Sequence, residues 1–286
     1  MYILSFDVGI KHLAYCLFYL DEAPKTRSKK CPYSIKQWDI IDLCNTKTYK
    51  CMYNKCGKNA SVYKNEEYYC KLHAKKHNNF MLTDETLKMK PAKLKKKSLF
   101  DLKQIVNTYS IKIEEKAKKS DYIKAILEYI DLKCFQPIEK TNASDFNLVS
   151  LGINMKDAFE KLFSEFEIEH VLIENQISPI ANRMKCIQGM MTQYFIMKGI
   201  ENIEFISSAN KLKPFIDKKK TTYAERKKIG ITVTRRLVNE KAFLDKWKEL
   251  FNNHKKKDDL ADSFLQGLWY LRENEEIEDV EIFKMK

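Results

Sequence analysis

The sequence predicts an α/β fold in which a mixed sheet is flanked by helices and interrupted by a cysteine- and lysine-rich insertion. Short, nearly all-apolar runs at 2–8 and 170–174 run up to acids, Asp7 and Glu174, as buried strands do on reaching a turn. The second half alternates helical and strand periodicity, the pattern of helices laid on a sheet. Between the halves the composition changes. From 44 to about 97 lie four of the eight cysteines, many lysines and few large aliphatic residues.

Each element follows from its residues. The first strand ends in Asp7-Val8-Gly9, residues 12–20 make a second and 34–43 a third. Only Ile10 and Lys11 separate the first two, so they should pair as an antiparallel hairpin. Leu99, Leu102, Ile105 and Val106 carry a helical period that breaks at 108–113 and resumes through Tyr122, Ile123, Ile126, Leu127 and Ile130. Residues 136–147, with Pro137 and several small polar residues, read as a linker. Then come a helix over 155–166, a strand over 170–174, a helix over 183–198 and a strand over 203–207. A basic stretch from 211 to 228 leads into a helix reaching about 241, and a last helix covers 258–272. The expected division is a core of 1–43 and 148–286, a zinc-binding basic insert of 44–97 and a helical insert of 98–135.

With 286 residues, 44% hydrophobic, the chain can bury a large core. Its formal net charge of +13 favours a polyanionic partner, nucleic acid or an acidic membrane surface. The start, Met1-Tyr2-Ile3-Leu4-Ser5-Phe6-Asp7, shows no basic leader with an apolar stretch and cleavage site, and no apolar run approaches the ~18–20 residues of a membrane span. An intracellular protein is expected, neither secreted nor membrane-inserted. In that setting cysteines are metal ligands or core residues more often than disulfides. Neither a GxxxxGK[ST] nor a GxGxxG phosphate loop is present.

Asp7 and Glu174 end buried strands, where an unpaired carboxylate is costly and calls for a cation. In Lys257-Asp258-Asp259-Leu260-Ala261-Asp262, a helix would set Asp259 and Asp262 on one face. Leu260, Ala261, Phe264, Leu265 and Leu268 would press that helix onto the core. Two strand-end acids and a helix-borne pair can converge at one sheet edge and hold two hard divalent cations. As turn formers or acids of a first helical turn they would instead be structural. A strongly basic chain that gathers acids at a phosphate-binding site needs metal ions to reconcile the two.

Cys51-x4-Cys56-x13-Cys70-x2-His73 offers two close ligand pairs separated by a loop, the arrangement of a tetrahedral structural zinc. Cys44 could replace one ligand and His77 could replace His73. Four protein ligands would close the site to catalysis. Cys16, Cys31, Cys134 and Cys186 read as ordinary thiols. Lys47, Lys50, Lys55, Lys58, Lys64, Lys71, Lys75 and Lys76 surround the ligands, so the insert is either a DNA-contacting knob or a stabilising staple.

The Asp7-Val8-Gly9 hairpin, the Ile173-Glu174-Asn175-Gln176 strand end and the Asp259-Leu260-Ala261-Asp262 helix, in this order, resemble RuvC-type Holliday-junction resolvases. Within these the chain looks most like the poxvirus and giant-virus enzymes and their fungal mitochondrial relatives. The resemblance covers about 1–43 and 148–275. It implies a ribonuclease-H-like fold and paired symmetric cutting of four-way DNA with two Mg²⁺ per site, Mn²⁺ being a possible substitute. Asp7, Glu174, Asp259 and Asp262 would bind metal, with Asp258 as a substitute for Asp259. It also implies a lysine near the scissile phosphate, matched by Lys227 or Lys228. A homodimer built partly on the methionine-rich 183–198 helix is implied too.

The typical core lacks the zinc insert. Residues 98–123 are similar to a SAP motif, without its usual glycine; a structural helical hairpin reads equally well. Expected phosphate contacts are Lys95, Lys96, Lys97, Lys118, Lys119, Lys218, Lys219 and Lys220. A nuclease acting on RNA–DNA hybrids or flaps and a non-catalytic zinc-stabilised DNA-binding protein are the alternatives. Lysine- and asparagine-rich composition fits a large DNA virus, hence work in a cytoplasmic viral factory or the nucleus.

Overall fold

The computed structural model describes residues 1–21, 33–45, 47–139, 146–176, 182–215, 221–274 and 277. Cys31, Lys218, Lys219 and Lys220 lie outside the described residues. The chain begins with β1 (Tyr2–Asp7), β2 (Leu13–Leu20) and β3 (Tyr33–Ile41). It then enters the unit 46–141, with β4 (Val62–Lys64), β5 (Glu67–Tyr69), α1 (Lys71–Lys75), α2 (Pro91–Lys96), α3 (Leu99–Thr108), α4 (Lys119–Lys133) and β6 (Gln136–Pro137). It returns with α5 (Leu148–Phe163), β7 (Ile168–Glu174), α6 (Asn182–Met197) and β8 (Asn202–Ile206), and closes with α7 (Tyr223–Glu240), α8 (Asp245–Asn253) and α9 (Lys257–Glu273).

The first unit, 1–45 with 142–286, is built on a five-stranded mixed sheet in the order β3-β2-β1-β7-β8. β1 and β2 form the expected antiparallel hairpin, Asp7 opposite Ala14. Its turn demands glycine, because a Cβ on Gly9 would collide with the carbonyl oxygen of His12. β7 pairs parallel with β1, Phe6 opposite Ile173. Parallel strands end at the same edge of a sheet, so Asp7 and Glu174 emerge side by side.

Both faces of the sheet are covered, which is why β1 and β2 read as nearly unbroken apolar runs. Leu4, Phe6, Tyr15 and Leu17 face a cluster with Leu151, Met155 and Phe159 of α5 and Met191 and Phe195 of α6. Ile3, Cys16 and Phe18 face the other way, with α7, Phe251 of α8 and Leu260, Phe264 and Leu268 of α9. α9 approaches closely, since a side chain at Gly267 would strike the ring of Phe18. The Trp38 indole donates to the Leu260 carbonyl at 3.0 Å and anchors the helix start.

Some boundaries differ from the sequence expectation. α5 starts at Leu148 rather than 155, because the Asn147 side chain accepts from Val149 N at 2.8 Å and caps it. α8 was not anticipated; it is short, and Phe251 is its buried residue.

In the second unit β4 and β5 form a hairpin whose two-residue turn, Asn65-Glu66, has positive φ at both positions (48° and 65°), the primed geometry such hairpins favour. The expected linker begins inside this unit, since Gln136 and Pro137 pair with Tyr63 and Val62 as β6. Ser98 and Asp101 cap α3 reciprocally. α2, α3 and α4 enclose Leu94, Leu102, Ile105, Val106, Tyr122 and Ile126. A smaller cluster of Val62, Ala74, Leu82 and Phe135 lies under the cysteine-rich segment. The division expected at Lys97 falls inside one compact unit: Met81 and Cys134 form a bridge, and the Lys119 ammonium donates to Lys95 O at 3.1 Å.

Candidate active site and metal centre

Two backbone facts bring the acids together: β1 and β7 end alongside one another, and α9 crosses them with its first turn at the same edge. Asp7, Glu174, Asp259 and Asp262 line one cleft of about 510 Å³ with Lys211 and Lys227. Gln266, one turn beyond Asp262, is buried and donates to Ser5 Oγ and Phe6 O, both at 3.1 Å. That amide fixes the rotation of α9 relative to the end of β1, and so the direction of Asp262.

Two ammonium groups answer the negative charge. Lys211 Nζ, nearly buried, sits 2.8 Å from Asp262 Oδ2, 3.2 Å from Glu174 Oε1 and 3.9 Å from Asp7 Oδ1. Lys227 Nζ lies 2.9 Å from Asp262, 3.4 Å from Asp258 and 3.7 Å from Asp259. Burial, then the nearby Glu174 carboxylate, push the Asp7 carboxyl well above the usual range despite Lys211. Burial pulls both ammoniums down, but the surrounding carboxylates outweigh it and raise them. Burial and Asp258 raise Asp259, whereas Lys227 draws Asp258 below its ordinary value against the effect of burial.

The donor set fits hard divalent cations. Carboxylate oxygens from strand ends and a helix converge around one ammonium, and burial, then the neighbouring Glu174 carboxylate, has raised Asp7, so the cluster favours added positive charge. Asp259 keeps the helical spacing to Asp262 and lines the cleft; Asp258 is turned to Lys227. Of the two lysines that the sequence left open, Lys227 enters the cleft. Lys228 lines a separate groove with Ile229, Thr232, Val233 and Arg236.

Sequence reasoning missed Lys211, which is one lysine in a basic stretch with no periodic or spacing signal. Gln176 was quoted only as part of a strand-end motif; its amide donates to Glu174 Oε2 at 2.9 Å. Gln266 had a usable signal, since 259, 262 and 266 share a helix face.

In the second unit the ligand atoms of Cys51, Cys56, Cys70 and His73 all lie within 4.8 Å of one another. Cys56 Sγ and Cys70 Sγ are 3.9 Å apart; His73 Nδ1 is 3.4 Å from Cys51 Sγ and 3.5 Å from Cys70 Sγ. A tetrahedron with metal–sulfur bonds of ~2.3 Å has sulfur–sulfur edges of ~3.8 Å, so the cage has the right size. Cys70 stands at the N-cap position of α1 and His73 follows one turn later. Lys55 and Gly57, at φ 58° and 62°, bend the knuckle around Cys56. The alternative ligands are engaged elsewhere: the Cys44 thiol faces Ile10 O at 3.9 Å, and His77 Nδ1 accepts from Asn79 N and Phe80 N. Cys16 and Cys134 are buried and Cys186 is exposed, all as free thiols.

A family model described as "Mitochondrial resolvase Ydc2 / RNA splicing MRS1" matches residues 3–178, more than half of the chain. The chain belongs to this family. A second model, "Poxvirus A22 protein", matches residues 124–274. The resolvase family and the poxvirus model are the two branches that the motifs resembled. "Uncharacterized protein L451" of Acanthamoeba polyphaga mimivirus is 30% identical, with 95% of this chain and 74% of that protein covered. Among solved structures, the fowlpox virus resolvase bound to substrate Holliday junction DNA is 15% identical (TM-score 0.43, covering 96% of this chain and 99% of that one). The yeast mitochondrial Holliday junction resolvase Ydc2 is 14% identical (TM-score 0.41, 96% and 80%).

In this member of the Ydc2 family the basic residues are unevenly shared. Residues 46–141 hold 22 lysines against 11 acids, a surplus of 11 in a chain whose total is 13. Lys95, Lys96, Lys118 and Lys119 are exposed where the end of α2 meets the start of α4, and Lys97 is half-buried beside them. No helix of the described residues is long and apolar enough to cross a membrane.

Proposed function

We propose that this chain is a metal-dependent, structure-selective endonuclease that resolves four-way DNA junctions by paired symmetric nicks. The observation that carries this reading is the convergence of Asp7, Glu174, Asp259 and Asp262 in one cleft of a resolvase-family core. The family description spans a resolvase and an RNA-splicing protein, and a retained carboxylate cluster favours cutting over binding alone.

Asp7, Glu174, Asp259 and Asp262 would hold two Mg²⁺ ions, or Mn²⁺ in their place. Bound there, the ions supply a water activated for attack on phosphorus and stabilisation of the departing 3′ oxygen. Lys227, at the cleft wall and 2.9 Å from Asp262, brings positive charge to the scissile phosphate. Gln266 holds α9 in register with the end of β1, and Gln176 orients the Glu174 carboxylate. In the second unit Cys51, Cys56, Cys70 and His73 would hold a structural Zn²⁺ with no open position.

Lys95, Lys96, Lys97, Lys118 and Lys119 serve phosphate binding, and Lys218, Lys219 and Lys220 are assigned to it from sequence alone. Two cuts on a two-fold substrate call for two active sites. α6 carries exposed Ile196 and Met197 at its end for pairing with a second copy. The giant-virus relative favours action within an infected cell, in a cytoplasmic factory or the nucleus.

The test is cleavage of a labelled immobile four-way junction in Mg²⁺ beside linear duplex and an RNA–DNA hybrid, with Asp7→Asn as control. Symmetric nicks on the junction alone, absent in the variant, are expected. Cutting of the hybrid would transfer the activity to a ribonuclease-H-type substrate. Junction binding with no cutting by the wild type would make the acids structural.

A further inference from the structure

The cysteine-rich knuckle exposes more apolar surface than its own packing needs. Met52, Tyr53 and Leu72 are 61%, 56% and 52% exposed; Met52 and Leu72 adjoin candidate metal ligands in sequence and Tyr53 lies between Cys51 and Cys56. The Tyr53 ring lies parallel to the His73 ring, with centroids 3.9 Å apart and 19° between planes. One face of Tyr53 is therefore covered by the candidate ligand His73, while more than half of the residue stays open to solvent.

The setting of this tip is cationic. Between 46 and 76 there are eight lysines and only two acids, Glu66 and Glu67, both at or beside the β4–β5 turn. Lys50, Lys55, Lys58, Lys71, Lys75 and Lys76 are exposed. A lysine-rich surface alone binds any duplex, because phosphates are the same everywhere along it. A fixed aromatic face adds something that a paired, stacked duplex cannot use. Every base has a π-face, but only an unstacked base offers it. At the centre of a four-way junction the stack is interrupted.

Resting on the reading that branched DNA is the substrate, we propose that the Cys51–Cys56 knuckle is a base-stacking tip. The outer face of Tyr53 packs on an unstacked nucleobase at the branch point, Met52 and Leu72 border that base, and Lys55 and Lys71 take flanking phosphates. Because the ring is held by His73, little side-chain freedom is lost on binding. The tip thus adds preference for branched over linear DNA to the affinity that the lysines provide.

The experiment uses the full chain with zinc content measured for each variant. A junction carrying 2-aminopurine at the branch point reports stacking by fluorescence quenching. Wild type and Tyr53→Phe should quench it; Tyr53→Ala, with one zinc per chain retained, should not. Its junction affinity should fall about tenfold, on the scale measured for losing one base–aromatic stack, while linear-duplex affinity stays within twofold. Leu72→Ser should cause a smaller loss of the same kind.

If Tyr53→Ala keeps zinc and still quenches and binds as wild type does, the proposal is overturned. It is equally overturned if that variant changes self-association in sedimentation while quenching persists, since the patch then faces a second copy. Failure of the wild type to bind any junction would instead defeat the assignment of the substrate.

Discussion

Lys211→Met removes the ammonium that three carboxylates share, and the consequence can be worked from its surroundings. Stranding buried charges by removing one partner costs about 3–5 kcal/mol. Two of the three acids keep other partners: Asp262 retains Lys227 at 2.9 Å and Glu174 retains Gln176 at 2.9 Å. The net loss is therefore nearer ~2–3 kcal/mol, which lowers the melting temperature by ~5–10 °C at the usual ~2–4 °C per kcal/mol for a unit of this size. Tryptophan fluorescence follows the right unit, because Trp38, Trp247 and Trp269 all belong to the cluster beneath α7, α8 and α9. Without divalent cations the variant should melt early. Saturating Mg²⁺ or Mn²⁺ should close most of the gap, so the metal-induced gain must exceed that of the wild type. The gap should also narrow as pH falls. A raised Asp7 pKa means that the folded state holds this proton more tightly than the unfolded chain, so acidification neutralises a repelled carboxylate, and the relief is lost as pH rises. An unchanged melt in metal-free buffer, or equal metal-induced gains in both proteins, would refute the claim that Lys211 stands in for a cation.

Asp7→Asn should abolish junction cutting while leaving junction affinity intact, as checked by gel shift and single-turnover cleavage. Lys227→Met should slow single-turnover cleavage by about 10²–10³-fold, by analogy with loss of one charge-stabilising donor, whereas Lys228→Met should stay within twofold; the reverse order would reassign the lysine. Replacing Lys95, Lys96, Lys97, Lys118 and Lys119 with Gln should weaken duplex and junction binding alike and flatten the log–log salt slope by about 0.9 for each phosphate no longer neutralised; an unchanged slope would remove these lysines from the interface. Cys56→Ser should release zinc and loosen residues 46–141 to proteolysis with little change in the tryptophan-detected melt; retained zinc would point to a different ligand set.

The elements of the core were legible because its physics is local. A stretch of strand buried on both faces is largely apolar, so β1, β2 and residues 171–173 of β7 stand out, and the acids that close β1 and β7 stand out against them. The ligand spacing of Cys51, Cys56, Cys70 and His73 was readable for a similar reason, as short pairs on a knuckle and a helical turn define half a tetrahedron each. What local pattern could not supply was length without periodicity. α8 and the early start of α5 depend on caps and packing. β6 exists because a partner strand lies beside it.

From the chain itself, then, came the core strands β1, β2, β3 and β7, the acids that close β1 and β7, the paired spacing of the Cys and His residues and the overall positive charge. All of these are composition and spacing along a line. Tertiary structure decided which lysine serves the acids: Lys227 rather than Lys228 is a matter of which way one turn of α7 faces. It also revealed Lys211, whose role is invisible in a lysine-rich stretch until β8 delivers that stretch to the edge where β1 and β7 end. Convergence of charges far apart in sequence is a three-dimensional property, because the energy of bringing like charges together depends on separation in space and on burial.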